Sequence, residues 1–143
     1  MVEVQRLLDL KKKGYWTIAP ETTAYQALEI MAAKDVGALM VVATGRKLLG
    51  IFTERDYSRK VVLMGKSSKN TLVSELMTPS VYCVSPDDTM EYCMALMNDR
   101  HVRHLPVIED GKLVGLVSIR DVVNTIIHEK ETTIKDLEQY ITS

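Results

Sequence analysis

Cysteines, long apolar runs and an excess of charge of one sign are all scarce in this sequence of 143 residues. The two cysteines, Cys83 and Cys93, are too few for a disulfide framework and lack the CxxC spacing of a metal site. No apolar run approaches the roughly 20 residues that cross a bilayer. Eighteen basic and nineteen acidic residues leave a net charge of −1, so the overall charge attracts neither nucleic acid nor an anionic membrane.

Signs of targeting and of catalysis are equally scarce. Residues 1–14 mix leucines with charges and lack an apolar core, so we expect no secretory signal there. Few cysteines and no signal predict a reducing compartment, the cytoplasm or another such as the mitochondrial matrix. No nucleophile has a plausible base and no carboxylate pair has a proton-transfer partner, so the sequence predicts a protein that is not an enzyme.

One segment of the sequence occurs twice. The stretch GIFTERD at residues 50–56 returns as GLVSIRD at residues 115–121, a shift of 65 positions. Upstream of a one-residue gap beside Arg46 the shift becomes 66, which pairs Pro20 with Pro86. The gap falls at a glycine turn, where changes in loop length are tolerated best. We therefore interpret the chain as a tandem duplication.

Each half carries the same order of local patterns. A short extended piece ends at a proline, and apolar residues spaced three and four apart then predict a helix. Two apolar runs around a glycine turn predict a β-hairpin, and a second helix begins at Thr53 or Ser118. The sequence thus predicts an α/β protein of two β-α-β-β-α units.

The boundaries of the units follow from these patterns. Repeat 1 is assigned to residues 12–66 and repeat 2 to residues 80–130, with a linker at residues 67–79 that holds a short helix. Residues 131–143 are predicted to form a polar helical tail, a candidate contact for another subunit. An amphipathic helix is expected before repeat 1. Its inward side is predicted to carry three leucines: Leu7, Leu8 and Leu10.

The hydroxyl-x-x-aspartate motif at the start of each second helix has two explanations. Thr53 with Asp56, and Ser118 with Asp121, can each close a capping box that satisfies free backbone N–H groups. The same geometry suits a ligand, because a helix N-terminus seats a phosphate and a carboxylate accepts hydrogen bonds from a ribose. The residues alone leave both explanations open.

Basic residues distinguish repeat 2 from repeat 1. Arg103 and His104 stand where repeat 1 has Gly37 and Ala38, and another arginine and histidine precede them. Arginine offers a phosphate a planar fork of donors, so a cluster of this kind suits a phosphate group. The alternatives are a solvated helix end, where cations are favoured, and an HxxH metal site, which lacks a third ligand.

These features together resemble a known family. The paired β-α-β-β-α units, the proline-threonine starts and the hydroxyl-x-Arg-Asp ends are similar to a tandem pair of CBS domains, a Bateman module, over roughly residues 12–130. The stretches TERDYSRKVVLMGKSS and VRHLPV resemble the stand-alone two-CBS proteins of bacteria and mitochondria. The resemblance implies two repeats packed as one pseudo-two-fold module with short N-terminal and C-terminal helices.

The resemblance also implies where a ligand binds. In CBS pairs the hydroxyl and aspartate of the motif hold the ribose and phosphate of an adenosine nucleotide, and each cleft combines elements of both repeats. The expected groupings are Asp56 with Tyr82 and Val102, and Asp121 with Trp16 and Val36. The nucleotide-binding residues that it implies are Tyr15, Trp16, Thr17, Ile18, Val36, Gly37, Ala38, Thr53, Arg55, Asp56, Tyr82, Cys83, Val84, Val102, Arg103, His104, Pro106, Ser118, Arg120 and Asp121.

The predicted function is a non-enzymatic adenine-nucleotide sensor, an energy-sensing module that signals to an unidentified regulated protein through the conformation of a homodimer, parallel or antiparallel. The ligand class comprises AMP, ADP, ATP, NAD(H), NADP(H) and S-adenosylmethionine, and no metal or required cofactor is expected. The alternative is a ligand-independent interaction module, such as a modulator of a redox partner like thioredoxin. Nucleic-acid binding ranks below both because the charge is balanced, and no membrane contact is expected.

Overall fold

The computed structural model describes residues 1–11 and 14–142 of the chain. Its elements are α1 (Val4–Leu10), β1 (Thr17–Ile18), α2 (Ala24–Lys34), β2 (Ala38–Ala43), β3 (Lys47–Thr53), α3 (Glu54–Asp56), α4 (Val73–Leu76), α5 (Met90–Arg100), β4 (His104–Glu109), β5 (Lys112–Ser118) and α6 (Ile119–Thr142). A 3-10 turn at Thr44–Arg46 joins β2 to β3, and α3 continues as a π-helical segment at Tyr57–Val62. The predicted α/β class, with two equivalent units, is confirmed.

Each repeat forms its own small sheet. In repeat 1 the strand order is β1-β2-β3, with β1 parallel and β3 antiparallel to β2, and in repeat 2 an antiparallel hairpin joins β4 to β5. A register shift after Val41 recurs after Val107. Where β1 pairs Ile18 with Val41, repeat 2 has an isolated parallel bridge from Val84 to Val107. The two sheets therefore share one plan, as expected of a duplication.

Turn chemistry and caps explain why these elements start and stop where they do. The β4–β5 hairpin turns at Asp110 and Gly111, which both have positive φ, as a two-residue type I′ loop requires. The side chains of Thr23 and Thr89 cap α2 and α5 by accepting backbone N–H groups of the first turn. The last turns of α2 and α5 end in left-handed residues, Asp35 and His101.

The helix that completes each repeat lies outside it in sequence. Helix α1 packs on repeat 2, where the Val4 N–H donates to the Asp88 carbonyl at 2.8 Å. Helix α4 packs on repeat 1 in the same way, with the Val73 N–H donating to the Thr22 carbonyl at 2.8 Å. The two helices correspond with a shift of 69 residues, whereas the two repeats correspond with a shift of 65 or 66. Each folded unit thus draws on both halves of the chain.

The core lies in three clusters. One fills repeat 1 around Phe52, one fills repeat 2 around Leu105, and the third joins the two sheets. The shared cluster consists of Ala38, Met40, Ile51, Leu113 and Leu116, with Met40 fully buried. Because the sheets meet through these side chains, the repeats form one packed module, and clefts are left where the strand ends of one repeat face the other.

Two features differ from the sequence-based expectation. Leu7 is buried but Leu10 is 70% exposed, so the prediction that Leu10 faces inward is wrong. At 100° per residue Leu10 lies about 110° around the helix from the middle of the buried face of Val4, Leu7 and Leu8. Residues 131–142 continue α6 without a break, so the predicted short C-terminal helix is the end of a helix of 24 residues.

Candidate functional site

The first hydroxyl-x-x-aspartate motif forms a closed capping box at the start of α3. Thr53 Oγ1 accepts the Asp56 N–H at 3.1 Å, and Asp56 Oδ2 accepts the Thr53 N–H at 3.0 Å and its hydroxyl at 3.1 Å. The Lys60 ammonium lies 3.2 Å from the other carboxylate oxygen, Oδ1. These contacts hold the Asp56 side chain, which is 11% exposed, in one orientation at a helix N-terminus.

The second motif forms the same box at the start of α6. Ser118 Oγ accepts the Asp121 N–H at 3.2 Å, and Asp121 Oδ2 accepts the Ser118 N–H at 2.9 Å. A third group joins here, because the Lys11 ammonium donates to Asp121 Oδ2 at 2.6 Å and to the Leu116 carbonyl at 3.2 Å. Capping is therefore a role that both motifs perform in this fold.

A cleft of about 400 Å³, the first cleft, lies between α3 and the start of repeat 2. It brings together eight of the residues that the sequence singled out: Gly37, Thr53, Arg55, Asp56, Tyr82, Val102, Arg103 and His104. Asp56 faces the same cavity as Tyr82 and Val102, which is the grouping predicted for it. Residues that the sequence analysis did not include also line it: Ile51, Glu54, Thr78, Ser80, Val81 and His101. Thr78 lies near the end of the linker, and Ser80 and Val81 begin repeat 2 just before the predicted Tyr82.

The first cleft carries more basic than acidic side chains. Arg55, Arg103 and two histidines line it with the carboxylates of Glu54 and Asp56. Burial lowers the pKa of His104, as do the charges of Arg103, Arg55 and Lys11, against the opposing effect of Asp121. His104 is therefore mainly neutral at pH 7 and can donate or accept a hydrogen bond. This set of donors suits an anionic group such as a phosphate.

A basic side chain, that of Arg100, lies over the aromatic ring of Tyr82, which lines the first cleft. The guanidinium carbon of Arg100 lies 5.0 Å from the centre of its ring, within the range of a cation–π contact. Trp16 in repeat 1, which corresponds to Tyr82 under the 66-residue shift, has Lys34 at 4.4 Å from its ring centre. Each aromatic ring thus lies under the basic side chain that ends the following helix, α2 for Trp16 and α5 for Tyr82.

A second cavity of about 540 Å³, the second cleft, lies beside the N-terminal segment. It is lined by three predicted residues, Tyr15, Trp16 and Thr17. Further residues around it were not predicted: Leu8, Lys11, Gly14, Val42, Arg46, Leu113, Val114, Gly115 and Leu116. The structure does not bring Asp121 and Val36 into this cavity, although Lys11, which contacts Asp121, is part of its lining.

Nine predicted residues of the described chain line neither cleft: Ile18, Val36, Ala38, Cys83, Val84, Pro106, Ser118, Arg120 and Asp121. Ile18, Ala38 and Val84 are buried core residues, so their side chains serve packing. Within residues 1–11 and 14–142 no group of three or more His, Cys, Asp or Glu side chains is arranged to hold a metal ion. None of the helices in these ranges combines the length and apolar character of a membrane span.

Comparison with known proteins agrees with this architecture. The model of the CBS domain family matches residues 9–62 and 73–128. The mitochondrial CBS domain-containing protein CBSX3 of Arabidopsis thaliana is 42% identical over 133 residues, which cover 90% of this chain and 65% of that protein. This chain therefore spans a little under two thirds of the length of that relative.

Solved structures share the fold over most of the chain. A CBS-domain protein of Burkholderia ambifaria is 44% identical and superposes with a TM-score of 0.81, covering 89% of this chain and 95% of that one. The CBS domain pair of protein MJ0100, solved with 5′-methylthioadenosine and S-adenosyl-L-methionine, has a TM-score of 0.79 at 22% identity and covers 90% and 98%. With two matches to the family model and this agreement in structure, the chain belongs to the CBS-domain family and is a CBS-domain pair.

Proposed function

We propose that this protein is a non-enzymatic regulatory module that binds an adenine nucleotide in the first cleft. One observation carries the proposal: Asp56, a carboxylate at a helix N-terminus, lines the same cavity of about 400 Å³ as Arg103 and His104 of the other repeat. A carboxylate that can bind a ribose and side chains that can donate to a phosphate match two parts of a nucleotide. The volume lies in the usual range of small-molecule sites.

Each part of the ligand has a matching group. Asp56 accepts hydrogen bonds from the ribose hydroxyls, with Thr53 and the N–H groups of the first turn beside it. Arg55, Arg103 and neutral His104 donate to the phosphate. The base packs against apolar and aromatic surface, for which Val81, Tyr82 and Val102 are available in the lining of the same cleft. AMP, ADP, ATP, NAD(H), NADP(H) and S-adenosylmethionine all contain the adenosine on which this assignment depends.

Binding in this cleft bridges the two repeats. A ligand that contacts α3 of repeat 1 and residues 101–104 of repeat 2 favours the relative orientation in which it touches both. Signalling then follows by population shift, because the ligand binds one arrangement better than the other. No covalent step is involved, in accordance with the non-catalytic role that we propose.

We propose further that the active form is a homodimer built through α6. Exposed apolar residues recur along this helix with heptad spacing: Val123, Ile127, Ile134, Leu137 and Ile141. The α6 helices of two copies can pack together as in a coiled coil, because each presents apolar side chains, and gaps between them, at the same heptad spacing. Light scattering on the full chain tests this: replacing Ile134 and Leu137 together with glutamate should give monomers, and an unchanged mass would contradict it.

The cysteines support a reducing compartment, cytoplasmic or mitochondrial. Cys83 and Cys93 are both free, one exposed and one buried. An exposed free thiol is typical of proteins kept reduced by thioredoxin or glutathione. The regulated partner, which we take to be another protein, reads the conformation of the dimer.

The test is calorimetric titration of the full chain with AMP, ADP, ATP, NADH, NADPH and S-adenosylmethionine. At least one should bind saturably, and at about 100 times its Kd it should stabilise the fold by ~2.7 kcal/mol. Asp56→Asn should weaken binding at least tenfold. Asp88→Asn is the matched control, because Asp88 also accepts a backbone N–H (Ser85, 2.7 Å) but lines neither cleft.

Flat titrations with folded protein would overturn the proposal. They would favour the alternative, a ligand-independent interaction module that acts on a protein partner such as a redox protein. Equal affinity in Asp56→Asn and the unchanged chain would instead keep nucleotide binding but move the site away from the first cleft.

A further inference from the structure

We propose that Lys11 decides which of the two clefts binds the nucleotide, because its ammonium group occupies the carboxylate that a ribose would need in the second cleft. The proposal rests on the function proposed above and adds a specificity determinant to it. It predicts one strong binding site per chain, although the duplication supplies two copies of the motif.

The contacts of Lys11 carry the inference. Its Nζ lies 2.6 Å from Asp121 Oδ2 and 3.2 Å from the Leu116 carbonyl, so one ammonium binds two acceptors. Both side chains are largely removed from water, with 24% of Lys11 and 16% of Asp121 exposed. An ion pair at this depth is screened less than a surface pair. A ribose hydroxyl that approaches Asp121 Oδ2 must therefore displace a charge-assisted hydrogen bond.

The residues that line the two cavities show which motif aspartate is open to a ligand. Asp56 lines the first cleft, whereas Asp121 does not line the second, and Lys11 does. We infer that the Lys11 side chain separates the second carboxylate from its cavity. The repeats are similar enough that this difference cannot come from the motif itself, since both capping boxes are closed in the same way.

Lys60 provides the contrast within the same molecule. It also pairs with a motif aspartate, at 3.2 Å from Asp56 Oδ1, and it also donates to a main-chain carbonyl, that of Leu76 at 2.9 Å. However, Lys60 does not line the first cleft, and Asp56 does. An ammonium beside the aspartate is therefore compatible with an open cleft, and what matters is the side from which it approaches.

Helices α1 and α4 pack on different repeats at equivalent places, and the residues that follow them explain why only one cleft has such a lysine. Helices α1 and α4 correspond with a shift of 69 residues, and Leu8 and Met77 meet the equivalent glycines Gly115 and Gly50. After α4 the chain supplies Ser80 to the lining of the first cleft, and after α1 it supplies Lys11 to the lining of the second. A short hydroxyl thus follows one helix where a long cation follows the other. Helix α1 ends at Leu10, immediately before Lys11.

The experiment uses AMP as the probe and the full chain in four forms: unchanged, Lys11→Ser, Lys11→Arg and Lys69→Ser. Calorimetry should give one site in the unchanged chain, two in Lys11→Ser, and one in Lys11→Arg, which keeps the cation. Lys69→Ser is the matched control and should keep one site, because Lys69 lies over the Tyr25 ring and lines neither cleft. At the second cleft Lys11→Ser should tighten AMP binding about tenfold or more, which corresponds to ~1.4 kcal/mol.

A second set of variants, all carrying Asp56→Asn, shows where the new site lies. Asp56→Asn alone should bind little AMP, whereas the double variant Asp56→Asn with Lys11→Ser should bind AMP at one site. Adding Asp121→Asn should remove that site again. Thermal melts of all forms confirm that they fold.

The outcomes separate this inference from the function it rests on. Two sites of similar affinity in the unchanged chain, one of them lost in Asp121→Asn, would overturn the role of Lys11 and leave the nucleotide sensor intact. Weaker AMP binding in Lys11→Ser would also overturn it, since Lys11 would then be a ligand to the nucleotide. Absence of AMP binding in every form, including Lys11→Ser, would refute both proposals for this nucleotide.

Discussion

Two equivalent glycines lie at close helix contacts, and replacing each with alanine should have unequal effects. A Cβ on Gly50 would lie 2.7 Å from the Thr78 carbonyl oxygen and 2.7 Å from Met77 Sδ. The three atoms nearest to a Cβ on Gly115 would all belong to the side chain of Leu8. Main chain cannot move aside as a terminal methyl group can, so Gly50→Ala should be the more damaging change.

The magnitude follows from what must shift. Thr78 is held by a two-way bridge to Ile51, with the Ile51 N–H donating at 3.1 Å and the Thr78 N–H at 2.9 Å. Moving Thr78 away weakens both hydrogen bonds, each worth about 1 kcal/mol net. Overpacking adds about 1–3 kcal/mol. We expect Gly50→Ala to lose about 2–4 kcal/mol, and Gly115→Ala about 1 kcal/mol, because Leu8 can change rotamer.

Urea unfolding followed by circular dichroism measures the difference. The free energy of unfolding should fall more for Gly50→Ala than for Gly115→Ala, at unchanged m-values. Thr78 also lines the first cleft, so Gly50→Ala should weaken nucleotide binding as well. Equal losses in the two variants, or a larger loss in Gly115→Ala, would refute the reasoning from main-chain contact.

Three further predictions concern single side chains. The pKa of His104 is lowered in the folded protein, so folding favours the neutral form of its side chain. The free energy of unfolding should therefore decline as the pH falls through about 6.5 toward the folded pKa. Replacing His104 with glutamine should flatten this decline in urea titrations at pH 5–8. Leu105→Ala empties a fully buried position and should cost about 2–5 kcal/mol in the same assay; a loss below about 1 kcal/mol would contradict the packing described. Burial, together with the charges of Asp88 and Glu91, raises the pKa of Cys93 to about 11. A thiol reagent at pH 8 should therefore label Cys83 alone in the native protein and both cysteines in denaturant. Rapid labelling of two thiols in the native protein would contradict the burial of Cys93.

Features governed by neighbouring residues were predictable from sequence. Thr53 and Ser118 mark helix starts because a hydroxyl followed by aspartate three residues later closes a local capping box. The Asp110–Gly111 turn sets the second hairpin because both residues tolerate positive φ. These signals, repeated in both halves, account for the confirmed fold class.

Features that depend on distant contacts were not predictable. The contact between Lys11 and Asp121 joins residues 110 positions apart, and no periodicity in the sequence encodes it. The packing of α1 on repeat 2 is hidden for the same reason, and so is the role of Ser80 and Val81, at the start of repeat 2, in lining the first cleft. The duplication shows that two units exist, but it carries no signal for a helix exchanged between them.

The placement of α1 has a consequence for the order in which the molecule is made. Helix α1 is synthesised before either repeat, yet its partner at Asp88 lies 84 residues downstream, so it waits while all of repeat 1 is synthesised. An isolated helix of seven residues has little stability of its own. Repeat 1, with α4, can close as soon as the linker emerges, whereas repeat 2 must recruit a segment made before repeat 1. We expect the docking of α1 to be the final step of folding, which brings Lys11 to Asp121 last.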